Sequence, residues 1–70
     1  MYPIYYKTER ALQIQHHIEG IIERTPLVAI AIHHLREEGK AYRMADDVDT
    51  AEQFYQAAND LERSLREPAS

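Results

Sequence analysis

The sequence predicts an all-α fold: a small helical hairpin or three-helix unit, assembled as a homodimeric helical bundle. Three observations carry this. Apolar residues recur at alternating three- and four-residue spacing along most of the chain. Thr25-Pro26 and the Asp46–Asp49 cluster interrupt that period. The block Leu27-Val28-Ala29-Ile30-Ala31-Ile32 is apolar on every side when wound as a helix, so it needs cover all round.

With 70 residues the chain has room for one small domain. A core of this size contributes about 3–5 kcal/mol on its own, and natural domains of this length usually add a disulfide, a metal or a second subunit. There are 0 cysteines, which removes disulfides and thiolate zinc sites. Association with another chain is then the expected source of cover for the apolar block. Cysteine-free composition fits a reducing compartment. The first residues lack the charged-then-apolar order of a signal peptide, and no apolar run is long enough to cross a bilayer, so a cytoplasmic protein without a membrane anchor is expected. The net charge of -4 argues against a protein held to nucleic acid by phosphate neutralisation.

Residues 1–7 read as an extended arm, because Pro3 disfavours helix for Tyr2 and the segment is rich in tyrosine. Residues 8–67 read as the helical domain, with helices over about 9–24, 26–45 and 50–66. Thr8 is placed to cap the first helix, and Ala11, Ile14, Ile18, Ile21 and Thr25 form its stripe, widened by Leu12 and Ile22. Gly20 interrupts it, either at a close crossing or simply as a tolerated glycine. Thr25-Pro26 fits a tight corner with Thr at the N-cap and Pro at the first helical position; a kink in one long helix is the alternative.

In the second helix Val28, Ala31, Ile32, Leu35, Gly39 and Tyr42 share one stripe, and Leu27 and Ile30 add apolar surface on other sides. A strand over 27–32 is rejected because Leu35 and Tyr42 continue the helical period. Asp46–Asp49 reads as a turn, with Asp49 and Glu52 at capping-box spacing. In the third helix Ala51, Phe54, Ala58, Leu61 and Leu65 hold a heptad-like seam, Arg63 and Arg66 suit the negative helix end, and Pro68 stops it. The expected core and dimer contacts are Ile14, Ile18, Ile21, Leu27, Val28, Ile30, Ile32, Leu35, Tyr42, Phe54, Leu61 and Leu65.

Leu35, Gly39, Ala41 and Tyr42, followed after the turn by Ala51, Tyr55 and Ala58, give residues 32–65 a pattern that resembles a single tetratricopeptide repeat. Glu38 and Arg63 depart from it, standing where that family usually has leucine and proline. The resemblance implies an antiparallel helical hairpin that binds a protein segment.

Four groups of residues are candidates for function. The tyrosines Tyr2, Tyr5 and Tyr6 suit a contact surface, since tyrosine offers large area at low entropic cost; an arm folded back on its own helices is the plainer use. Arg36, Lys40 and Arg43 lie at i, i+4 and i+7 on one face, which can meet an acidic partner or be neutralised by Glu37, Asp46 or Asp47. The pairs His16-His17 and His33-His34 are nearly equidistant from Thr25, so a fold at that point brings His17 and His34 to one level, with Glu38 one turn on. That is a weak candidate for a metal or proton switch, and two solvated boundary residues explain it more simply. Asp46, Asp47 and Asp49 lack the glycine and terminal glutamate of a calcium loop.

There is no serine–histidine–acid set and no glycine-rich phosphate loop. The expectation is a non-enzymatic regulator without a cofactor, which binds a protein partner and inhibits or redirects it. By analogy of size and composition it is similar to accessory products of phages and mobile elements. The alternatives are a nucleic-acid regulator using the basic face and a metal- or pH-responsive module using the histidines.

Overall fold

The computed structural model describes the backbone of residues 4–66 and the side chains of residues 9–66. Within that range the chain forms three helices: α1 (Ile4–Arg24), α2 (Val28–Met44) and α3 (Val48–Arg66). The fold is all-α. α2 and α3 form the tight pair, and α1 lies against both with far fewer contacts.

α1 begins at Ile4, so the extended reading of residues 4–7 is corrected. The reason is directional: proline restricts the residue before it and leaves those after it free to take helical dihedrals. Met1, Tyr2 and Pro3 lie outside the described residues. The buried side of α1 is the expected stripe, with Ile18 and Ile21 in the core and Ile14 and Ile22 packed at its edge.

The Thr25-Pro26 break is a corner. Residues 25–27 leave the helical conformation, and α2 starts two residues later than expected, with Leu27 as N-cap in extended geometry. Leucine has no side-chain acceptor, so this cap makes no side-chain hydrogen bond. The Leu27 carbonyl accepts from the Ile30 and Ala31 amides and opens the helix.

The α2–α3 turn is tighter than the predicted one. Asp46 has a φ of 67°. The Asp46 amide donates to the Arg43 carbonyl and the Asp47 amide to the Tyr42 carbonyl, which is the double bond pattern of a Schellman stop. The N-cap of α3 is Asp47, replacing the expected Asp49 and Glu52 box: its carbonyl accepts from the Ala51 amide at 3.0 Å and its Oδ1 from the Thr50 amide at 3.4 Å. A left-handed φ costs an ordinary L-residue about 1–2 kcal/mol. Glycine removes that cost, and its larger unfolded-state freedom takes back part of the gain. Asp46→Gly is therefore expected to raise stability by about 0.5–1 kcal/mol, read as a higher urea midpoint at unchanged slope.

The core comprises Ile18, Ile21, Ile32, Leu35, Phe54 and Ala58, flanked by Tyr42, Ala57 and Leu61. Tyr42 stacks on Phe54 with ring centroids 5.3 Å apart. Gly39 sits at the helix crossing, where a Cβ would stand 3.2 Å from the Phe54 Cβ and 3.3 Å from the Ala51 carbonyl oxygen. Gly20 is different, since a Cβ there would meet only the Arg24 guanidinium at 3.8 Å.

Four expected core residues are not enclosed by the folded chain. Leu27, Val28 and Ile30 are exposed, at 64%, 37% and 52%. Leu65 is exposed as well, in the last turn of α3, at the end of the hairpin where α2 begins. The buried part of the seam therefore stops at Leu61.

Candidate functional site

The chemistry-bearing residues divide into a network that fastens α1 to α3 and a set displayed on α2. The fastening is centred on Thr50, the buried polar residue of the start of α3. Its hydroxyl accepts from Arg10 Nη2 at 3.2 Å and from Nε at 3.4 Å, while the same Nη2 donates to Asp47 Oδ2 at 2.6 Å. One turn along, Gln53 Nε2 donates to the Ala11 carbonyl at 3.0 Å. Among the described residues no buried side-chain nitrogen or oxygen lacks a partner. These polar residues join α1 to α3.

Asp47 is the charged centre of this network. The Thr50 hydroxyl donates to its carboxylate and, with the Thr50 amide and the Arg10 charge, holds the acid below its ordinary value of 3.8 against a smaller opposing effect of desolvation. A carboxylate whose folded-state value is depressed stabilises the fold above its unfolded value, and that contribution is lost as pH falls through the folded one. The wild type should therefore lose stability on acidification below about pH 4. Asp47→Asn should flatten that part of the profile in urea melts recorded along a pH series.

The basic face is only partly free. Arg36 Nη2 is paired with Glu62 Oε1 on α3 at 2.8 Å, not with the local acids the sequence suggests. Asp47, one of those acids, is taken by Arg10. Lys40 and Arg43 remain exposed, with Arg43 beside Val48, Glu52 and Tyr55. Arg36, Lys40 and Arg43 thus do not present one continuous cationic stripe.

The histidines have separate environments. The ring of His17 meets Phe54 edge-on with centroids 6.0 Å apart. His34 lies over Glu38 on the same helix, Nε2 to Oε2 at 3.6 Å. Among the described residues no group of three or more His, Asp or Glu side chains is placed to hold a metal ion. The side chains of Tyr2, Tyr5 and Tyr6 lie outside the described residues; Tyr5 and Tyr6 are helical in backbone.

Large apolar side chains are exposed at the start of α2 and end of α3 (Leu27, Val28, Ile30, Leu65), and also at Leu12 and beside the α2–α3 turn at Met44 and Val48. Ile30 further belongs to the outer face of α2. That face has a shallow hollow of about 300 Å³ lined by Ile30, His33, His34, Glu37, Glu38 and Ala41. The sequence places Glu38 one turn on from His34, as the structure has it, but not Ile30 and Glu37 on the same face; the spacing of i, i+4, i+7 from Ile30 to Glu37 is the signal for that. Among the described residues no helix is long and apolar enough to cross a membrane. Comparison with protein-family models, curated proteins and solved structures gave no match.

Proposed function

We propose that this chain is a small non-enzymatic interaction protein, a homodimer that binds another protein and modulates it by occupying its surface. The carrying observation is the exposure of Leu27, Val28 and Ile30 in a unit that has already closed its own core. Large apolar side chains grouped at one end of a small domain mark a contact surface. The tetratricopeptide-like spacing of Leu35, Gly39, Ala51 and Ala58 accords with this reading, because those residues all line the α2–α3 contact. Lys40 and Arg43, in the last turns of α2, are the proposed polar contacts, with Tyr2, Tyr5 and Tyr6 as further ones. Inhibition of the partner, by steric occupation, is the proposed outcome.

Affinity capture of the tagged chain from its native cell, read by mass spectrometry, tests the proposal. The wild type should recover a specific protein, and Leu27→Asp, checked for unchanged helicity, should lose it. Equal recovery by both chains would contradict it.

A further inference from the structure

The outer face of α2 is self-complementary. Ile30, His34, Glu37 and Ala41 lie at i, i+4, i+7 and i+11, so they form one stripe about 16 Å long. The steps along it are four, three and four residues, which reads the same in both directions. His33 and Glu38 lie about 140° apart round the helix, on opposite flanks of the stripe. In chain order the face presents apolar, histidine, histidine, glutamate, glutamate, apolar.

A two-fold axis across the middle of this stripe superposes it on an antiparallel copy. Ile30 then faces Ala41 of the second copy and His34 faces Glu37, while His33 and Glu38, about 70° to either side of the contact line, stay at the two solvated edges. Each histidine has a ring N–H to donate to a carboxylate in either protonation state. Parallel docking would set glutamate against glutamate, which is repulsive. The side chains are accessible for this: Ile30 is 52% exposed and the His34 side chain 50%. The contact between His34 and Glu38 within one chain is long, 3.6 Å, and leaves both groups capacity for a closer partner.

We propose that a second copy of this chain docks antiparallel on this face, through the pairs Ile30–Ala41 and His34–Glu37 repeated about a two-fold axis. This rests on the homodimer proposed above and adds its geometry. Isologous contacts of this type close on themselves and stop at two chains.

Complementary variants test it. His34→Glu makes the centre of the stripe wholly acidic, and Glu37→Lys makes it basic. Each variant alone should be monomeric by sedimentation, and an equimolar mixture should restore a dimer, because one of its two central pairs is then a glutamate–lysine ion pair and the other is the wild-type histidine–glutamate contact. Helicity and melting of each variant confirm folding. Crosslinking supplies a second readout, clean because the chain has 0 cysteines. Oxidation of a mixture of the Ile30→Cys and Ala41→Cys chains should give the mixed disulfide, and either chain alone should give little. A monomeric wild type would overturn both the homodimer and this geometry. A dimeric wild type with no restored pairing in the mixture, or with Ile30→Cys crosslinking to itself, would overturn this geometry alone.

Discussion

Phe54→Ala is expected to cost about 3–5 kcal/mol, the range for removing a fully buried aromatic side chain. Phe54 has no exposed surface, lies against Tyr42 on one side and His17 on another, and belongs to the α3 seam that α1 and α2 both use. A core of this size supplies about as much as the substitution removes, so the variant should lose its cooperative thermal transition. Phe54→Leu, which leaves a smaller void, should retain a transition at lower temperature. Circular dichroism during heating reads both outcomes. A Phe54→Ala chain that melts like the wild type would show that the three helices are not held by this centre.

The second large effect is at the helix crossing. A Cβ on Gly39 would sit 3.2 Å from the Phe54 Cβ and from Tyr55 Cε1, and 3.3 Å from the Ala51 carbonyl oxygen. The tyrosine ring can turn aside, but the other two atoms are fixed to the α3 backbone, so the helix itself must move. Overpacking of this type costs about 1–3 kcal/mol and rises with side-chain size. Gly39→Leu should therefore lose about 3 kcal/mol, enough to leave a partly unfolded chain. Gly39→Ala should be destabilising despite the gain in helix propensity of about 1 kcal/mol. Gly20→Ala supplies the contrast. It has ordinary van der Waals room beside Arg24, so the propensity gain of about 1 kcal/mol should appear as added stability. Urea midpoints of the three variants check the signs.

The difference between these glycines shows what the sequence can convey. Gly39 falls on the stripe of Leu35 and Tyr42, so its place on the buried side follows from helical period alone. Gly20 flanks the Ile14–Ile18–Ile21 stripe, and the period leaves both of its readings open until the neighbours are known. The seam from Ala51 to Leu61 was legible for the same reason, whereas Leu65 continues the period but is exposed in the last turn of α3. Helix starts were read less well. Thr25, Thr8 and Asp49 all have capping chemistry, yet the helices open at Ile4, Val28 and Val48. A cap is chosen by how the incoming chain runs, and several polar residues in a row offer competing choices.

The polar contacts between helices were the least legible. Arg10 to Asp47 and Arg36 to Glu62 join residues 37 and 26 positions apart, and no local spacing encodes either. The candidate basic stripe lost Arg36 to such a pair. His17 meets Phe54 of α3, which no local spacing encodes, whereas the contact of His34 with Glu38 is the i,i+4 pair legible in the sequence. The apolar block was legible in kind: its excess over one helical face is what the fold leaves uncovered at Leu27, Val28 and Ile30.

That uncovered surface leads to the most direct measurement. Sedimentation equilibrium and thermal melting of the wild type, carried over about a hundredfold range of concentration, report association by mass action. The dimer predicts twice the chain mass at the upper end and a melting temperature that climbs with concentration. A single-chain mass throughout, with one unvarying and high melting temperature, would contradict it.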